Sequence, residues 1–235
     1  MGIAENVAAV RAKIEAAALA AGRDPAKIRL VAATKMNDAA RVREAIAAGV
    51  DVCGENRVQE MLEKQAQGAY AGAPLHFIGH LQKNKVRQVV GLAALIHSVD
   101  SLALLAAIDR EAAKRGLRQE LLLEVNIGAE ATKSGFAPEE IAETLSSLSS
   151  FSHIFVRGLM CIPPAGRCDE ENRLNFTKMQ QLFIDNSEKK YDNIHMDFLS
   201  MGMSGDFAAA IACGSNMIRI GSAIFGPRPY PRTES

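Results

Sequence analysis

Eight short apolar runs alternate with segments of helical spacing along this chain. The runs are almost continuously apolar, which predicts strands that are covered on both faces. Strands that alternate with helices pair in parallel through right-handed crossovers. The predicted strands are Ile28–Thr34, Val50–Cys53, Leu75–Ile78, Leu95–Val99, Leu121–Asn126, Ile154–Met160, Met196–Ser200 and Met217–Ile220.

The segments between the strands predict helices, and one more helix precedes the first strand. This N-terminal helix is predicted over Ile3–Ala21, because Val7, Val10 and Ile14 recur at helical spacing and Gly22 follows. The other predicted helices are Ala39–Ala48, Arg57–Gln67, Asn84–Val90, Leu102–Lys114, Pro138–Leu148, Glu170–Asn186 and Phe207–Cys213.

Eight strand–helix units in 235 residues predict an α/β fold, a small (β/α)8 TIM barrel with an extra N-terminal helix. A doubly wound open sheet is the alternative. It loses support because no G-x-G-x-x-G follows the first strand and no Walker A loop occurs. No linker or low-complexity tract interrupts the chain, so residues 1–235 are expected to form a single domain.

Composition narrows the classes of partner. The 27 basic and 27 acidic side chains give a formal net charge of zero, which argues against nucleic acid or an anionic membrane as the partner. No apolar stretch reaches the ~20 residues that span a bilayer. The four cysteines show no metal-ligand spacing and predict reduced thiols in a cytoplasmic protein. They are Cys53, Cys161, Cys168 and Cys213.

Loops at the carboxyl ends of barrel strands form the active-site face of such folds. Lys35 follows the first strand, while Gly202–Asp206 and Ile220–Ala223 follow the last two. Glycine amides and helix N-termini favour an anion, and a buried lysine has a lowered pKa and can attack an aldehyde. These features together suggest a phosphorylated aldehyde, pyridoxal 5′-phosphate (PLP). Two alternatives remain open from the residues: a solvated Lys35, and a Ser204 and Asp206 that only cap the following helix.

Six segments of the chain resemble, in the same order, the YggS/PROSC family of pyridoxal phosphate homeostasis proteins, and the resemblance extends from about Val7 to Tyr230. It implies a fold type III PLP-binding barrel like the N-terminal domain of alanine racemase. The six segments are Val31–Lys35, Gly54–Glu60, His76–Lys85, Arg157–Pro163, Leu199–Asp206 and Ile218–Gly226.

The resemblance assigns roles to residues at the carboxyl ends of the strands. It implies that Lys35 carries PLP as an internal aldimine. Ser204, Gly221 and Ser222 would hold the phosphate through hydroxyl and backbone groups. One departure from the family pattern follows the lysine, where Met36–Asp38 replaces a more usual sequence that contains proline, and Asp38 is a candidate cap for the next helix.

The resemblance also places Arg219 opposite the pyridine nitrogen of PLP, and Asn56 and Met203 in the pocket wall. An arginine cannot accept a proton and leaves that nitrogen unprotonated, so the ring would stabilise carbanions poorly. A salt-bridged structural arginine is the alternative. His80 is a plausible neighbour of the ring without a catalytic role.

Three functions remain open at this point. The first, favoured by the resemblance, is a non-enzymatic monomer that stores PLP or delivers it to PLP-dependent apo-enzymes, and so affects amino-acid and keto-acid pools indirectly. The second is a small PLP-dependent racemase or lyase. Against this function, we expect no counterpart here of the second domain of the related racemases, and the scattered Tyr70, Tyr191 and Tyr230 offer no assignable acid. The third is a Schiff-base aldolase that uses Lys35 directly.

Four further basic residues have no assigned role. Lys83, Lys85 and Arg87 form a small basic run, for which a solvated face or steering of an anionic ligand are the two interpretations. Lys133 is the next candidate after Lys35 for a contact with the cofactor. No catalytic residue and no metal site is predicted.

Overall fold

The computed structural model describes residues 2–130, 132–164, 169–187 and 192–227. Cys168, Tyr191 and Tyr230, which the sequence analysis named, lie outside these ranges.

Eight parallel strands close into a barrel in sequence order, with the first strand paired to the last. This confirms the predicted (β/α)8 barrel over the open-sheet alternative. Closure of the barrel places the first and last strands side by side and brings Val31 opposite Arg219. The strands are β1 Arg29–Ala33, β2 Val52–Glu55, β3 Leu75–Phe77, β4 Leu95–Val99, β5 Gln119–Glu124, β6 Ile154–Met160, β7 Ile194–Ser200 and β8 Met217–Ile220.

The helices surround the barrel and follow the predicted order. They are α1 Ile3–Ala20, α2 Ala39–Ala47, α3 Val58–Ala66, α4 Val86–Val89, α5 Leu102–Lys114, α6 Ile141–Ser147, α7 Asp169–Ser187, α8 Phe207–Ala212 and α9 Ser222–Phe225.

Two of the predicted helices are shorter than expected. The segment predicted as Asn84–Val90 begins with a 3-10 turn at Lys83–Lys85, and only Val86–Val89 is α-helical. In the segment predicted as Pro138–Leu148, the residues Pro138–Glu140 likewise form a 3-10 turn before α6. The four-residue helix α9 was not predicted, because it is too short to show helical periodicity.

The apolar residues form two layers, inside and outside the barrel. The inner layer includes Val31, Val52 and Met217, which belong to one buried cluster. Outside the barrel, the buried face of α1 packs with β1 and β8 through Val7, Val10 and neighbouring side chains. The extra N-terminal helix therefore covers the seam where the barrel closes, and the carboxyl ends of the strands remain open.

Candidate functional site

A cavity of about 860 Å³ opens at the carboxyl ends of the strands. Its volume is within the range of small-molecule sites. All seven residues that the sequence analysis placed in a cofactor site line this one cavity. They are Lys35, Asn56, Met203, Ser204, Arg219, Gly221 and Ser222.

Lys35 enters the cavity because of the strand period. Val31 and Ala33 belong to the inner layer of the barrel, and side chains two residues apart share one face of a strand. Lys35, next in this series, lines the cavity and is half-buried. The predicted cap of the following helix is confirmed, since the Asp38 side chain accepts the backbone N–H of Arg41.

The last two loops bring hydroxyl and backbone groups together at one end of the cavity. Ser204 Oγ and Ser222 Oγ lie 3.4 Å apart. Gly221 precedes α9, whose first N–H groups have no acceptor within the helix. A Cβ atom at Gly221 would lie 3.5 Å from the Ala33 side chain, an ordinary contact distance, so this wall of the cavity lies directly beside the first strand. Donors of this kind suit an anionic group.

Of the two residues that could cap the following helix, Asp206 is the one that precedes α8, and its side chain makes no capping bond to that helix. Ser204 is not the capping residue. Asp206 Oδ1 instead accepts the N–H of Met203 at 2.6 Å and closes the loop on itself. The Ser204 hydroxyl faces Ser222 and the cavity.

Arg219 is buried at the floor of the cavity and donates to neutral acceptors. Its guanidinium donates to Ser200 Oγ at 2.5 Å and to the backbone oxygen of Cys161 at 2.9 Å. No salt bridge found among the described residues includes it, which argues against a salt-bridged structural arginine. Burial lowers the pKa of Arg219, but an arginine remains a cation at neutral pH.

A chain of buried polar side chains runs from Arg219 into the barrel. The Ser200 hydroxyl lies 3.1 Å from His97 Nδ1, and His97 Nε2 lies 2.9 Å from His76 Nδ1. Since an arginine only donates, Ser200 accepts from it and directs its own proton to His97. His97 then carries its proton on Nε2 and donates it to His76. In this series of hydrogen bonds the neutral hydroxyl oxygen of Ser200, and not a carboxylate, accepts from the Arg219 guanidinium.

Both histidines of this chain are neutral. Burial, with a contribution from Arg29, lowers the pKa of His76 to about 3. Burial, with His76 and Arg219, lowers the pKa of His97 well below its ordinary value.

Asn56 contributes an unsatisfied polar atom to the cavity. Its Oδ1 is buried and has no hydrogen-bond partner among the residues that the structure describes, which is rare for such an atom in a folded protein. Gly79 supports Asn56 from behind, because a Cβ atom there would lie only 2.1 Å from the Asn56 backbone oxygen. On the opposite side Met203 is exposed at the mouth of the cavity.

Arg41 also lines the cavity, and the sequence analysis missed it. Its Nε donates to Asn37 Oδ1 at 2.9 Å, and its terminal nitrogen donates to the backbone oxygen of Phe225. It thereby ties the loop after β1 to the end of α9. The available signal was an arginine four residues after Asn37, in the first turn of a helix that follows the lysine loop.

The remaining residues named from sequence lie elsewhere. His80 is exposed, does not line the cavity and lies 3.3 Å from the Asp100 carboxylate. The basic residues Lys83, Lys85 and Arg87 are exposed. Lys133 is half-buried, pairs with Glu130 and donates to the backbone oxygen of Pro163.

Within the described ranges, Cys53, Cys161 and Cys213 are buried, and burial raises the pKa of Cys53 and Cys161 to about 12. They are therefore inert thiols in the core. No described helix has both the length and the apolar character to cross a membrane.

A closed parallel barrel with a lysine, a buried arginine and paired serines at its carboxyl face defines a class, the barrel of the alanine racemase N-terminal domain. The model of that domain family matches residues 5–229. An alanine racemase of Clostridium difficile shares the fold with a TM-score of 0.66 at 17% identity, over 96% of this chain and 57% of that chain.

Closer relatives give the family itself. A pyridoxal phosphate homeostasis protein of Pseudomonas aeruginosa is 41% identical over 97% of this chain and 96% of its own length. The structure of PipY from Synechococcus elongatus with PLP bound is 34% identical, with a TM-score of 0.82 over 95% of this chain and 100% of that chain. The chain belongs to the family of pyridoxal phosphate homeostasis proteins, as the sequence motifs indicated. The relatives carry the name of homeostasis proteins rather than of enzymes, although enzymes share the fold.

Proposed function

We propose that this protein binds PLP in the 860 Å³ cavity and serves its intracellular homeostasis. The observation that carries the proposal is the convergence of seven residues on one cavity, from strand β8 and from the segments that follow four of the strands, in a member of this family. In this proposal Lys35 holds the cofactor covalently through Nζ. Ser204, Ser222 and the backbone of Gly221 bind its phosphate.

The donor set fits the cofactor at each end. The paired hydroxyls lie 3.4 Å apart, a spacing that lets both contact one phosphate group. Asn56 Oδ1 is buried without a partner in the described ranges, so it is an acceptor available to a donor group of a ligand. Met203 and Ile78 supply apolar surface for a ring.

Arg219 decides the kind of chemistry that the site favours. PLP supplies an aldehyde and an electron-withdrawing ring when it is bound. The family resemblance implies that the Arg219 guanidinium would lie beside the ring nitrogen, where it would stay charged and offer no proton-accepting atom, so that nitrogen would stay unprotonated and the ring would be a weak electron sink. The Ser200 and Cys161 contacts hold the guanidinium in place. The site thus favours binding of the cofactor rather than catalysis on amino acids.

The wider role follows from a site that binds PLP without turning over amino acids. We infer that the protein stores PLP or transfers it to PLP-dependent apo-enzymes in the cytoplasm, acts as a monomer, and affects amino-acid and keto-acid pools indirectly. Residues 1–235 would form one domain, which agrees with a family match over residues 5–229. Tyr70 donates to Glu55 and does not line the cavity, so it is badly placed to serve as a catalytic acid.

Visible absorption of the purified protein tests the proposal. The protein with PLP added and excess removed by desalting should keep a visible band, and Lys35→Ala should lose it. Lys133→Ala is the matched control and should keep the band. Protein that never acquires a band would contradict PLP binding. A band that changes when amino acids are added, with measurable turnover, would contradict the non-enzymatic role.

A further inference from the structure

The peptide groups on both sides of Lys35 are held from outside the barrel by one helix, α3. We propose that Glu60 and Lys64, here called the α3 clamp, are positioning residues that aim Lys35 into the cavity. This inference rests on the proposed function, since it assigns how the cofactor-binding lysine is oriented. Neither residue lines the cavity.

The first half of the clamp is Lys64. Its Nζ donates to the backbone oxygen of Thr34, the residue before Lys35, at 2.8 Å. The side chain is only 7% exposed, and Glu55 Oε1 holds the ammonium at 2.6 Å. Thr34 is itself fixed to the second strand, because its Oγ1 donates to the same carboxylate oxygen at 2.5 Å. The clamp therefore anchors the end of β1 to the end of β2.

The second half of the clamp is Glu60, one helical turn earlier. Its Oε2 accepts the backbone N–H of Met36, the residue after Lys35, at 2.7 Å. Glu60 and Lys64 also pair with each other at 3.5 Å. The spacing of four residues along α3 thus presents one acceptor and one donor to the two peptides that flank Lys35.

Met36 has a backbone conformation that needs such support. Its φ is 61°, in the left-handed region, and among the described non-glycine residues only Ala129 shares a positive φ. The N–H of Asn37 donates to Thr34 O at 3.2 Å, so residues 34–37 form a tight turn with Met36 at its third position. That position with positive φ favours glycine or asparagine. Met36 is 48% exposed, so packing contributes little to holding it.

The conformation of this turn determines the direction of Lys35. Lys35 occupies the second position of the turn, two residues beyond the end of β1, so the strand period directs it inward only while the flanking peptides continue the extended course of the strand. If Met36 relaxes to negative φ, the turn reverses the peptide after Lys35. The Glu60 bond to the Met36 N–H opposes that relaxation. The clamp thus stabilises a strained backbone conformation at Met36, and that conformation fixes the direction from which Lys35 approaches the cavity.

The test measures the rate at which PLP becomes attached to Lys35, by borohydride quenching at successive times and peptide mapping. Glu60→Ala should slow attachment roughly tenfold, because a charge-assisted hydrogen bond is lost. Glu60→Gln keeps an acceptor oxygen and should stay closer to the unchanged protein. Adding Met36→Gly to Glu60→Ala should recover part of the rate, because glycine adopts positive φ without a steric cost. Glu63→Ala, an exposed residue of the same helix, is the matched control and should leave the rate unchanged.

A second measurement, hydrogen exchange at the Met36 amide, tests the clamp in the absence of PLP. The Met36 amide should be protected from hydrogen exchange in the unchanged protein and lose protection in Glu60→Ala. Attachment at an unchanged rate in Glu60→Ala would overturn the clamp and leave the proposed function intact. Failure of the unchanged protein to attach PLP at Lys35 would overturn the proposed function instead.

Discussion

Replacing Lys64 by methionine would leave the carboxylate of Glu55 buried and without its cation. Glu55 is fully buried, and its Oε1 accepts from Thr34, Lys64 and Tyr70, while its Oε2 has no partner within the described part of the chain. Burial and the Glu55 carboxylate raise the pKa of Tyr70, so the tyrosine stays a neutral donor and cannot replace the lost cation. Removing one member of a buried ion pair costs about 3–5 kcal/mol of unfolding free energy.

This loss is large enough to measure by two methods. Urea denaturation followed by circular dichroism gives the unfolding free energy directly. In a chain of 235 residues a loss of ~1 kcal/mol lowers Tm by about 2–4 °C, so Lys64→Met should lower Tm by roughly 6–20 °C. Lys13→Met, at an exposed position of α1, is the control and should change the free energy by less than ~0.5 kcal/mol.

A double variant separates lost charge pairing from lost packing. Adding Glu55→Gln to Lys64→Met removes the uncompensated charge, so part of the stability should return. A loss below about 1 kcal/mol in Lys64→Met, or no recovery in the double variant, would refute the interpretation of Glu55 and Lys64 as a buried ion pair.

Two further predictions concern the interior and the cavity wall. Because the pKa of His76 is lowered to about 3, the unfolded chain binds a proton there first as the pH falls through 6.5, and the folded protein loses stability from pH 6.5 down to about 3. At pH 5 this loss is about 2 kcal/mol relative to pH 7, and His76→Gln should show a correspondingly smaller pH dependence in urea denaturation. Gly79→Ala would place Cβ 2.1 Å from the backbone oxygen of Asn56, so it should cost about 1–3 kcal/mol of stability and weaken PLP binding in a spectral titration.

Each of these has a control or a contradicting outcome. An identical pH dependence in His76→Gln and the unchanged protein would show that His76 does not stay neutral in the fold. Gly205→Ala is the control for Gly79→Ala, because no atom of the described residues lies within 4 Å of a Cβ there and stability should be nearly unchanged. Equal stability of the two alanine variants would contradict the close contact with Asn56.

The strand order and the location of the site were predictable from sequence because both follow from periodicity. The period of two residues that buries Val31 and Ala33 also directs Lys35 inward, and parallel strands bring all their carboxyl ends to one face. The predicted bounds of β4, β6 and β8 agree with the structure. The resemblance to a family added the individual roles.

The contacts behind the site were not predictable in this way. The Arg219–Ser200–His97–His76 chain joins residues of four strands, and a single sequence carries no signal for which polar side chains meet inside a barrel. The sequence named both Ser204 and Asp206 as candidate caps of α8 and could not choose between them, because both are polar residues that favour the capping position.

Borohydride trapping tests most directly our proposal that the amine of Lys35 holds PLP inside the barrel. The protein should be incubated with PLP, reduced with borohydride, digested, and its peptides mapped by mass spectrometry. We expect the phosphopyridoxyl mass on Lys35 at near-stoichiometric yield. Label found mainly on Lys133 or Lys83, with Lys35 unmodified, would contradict it.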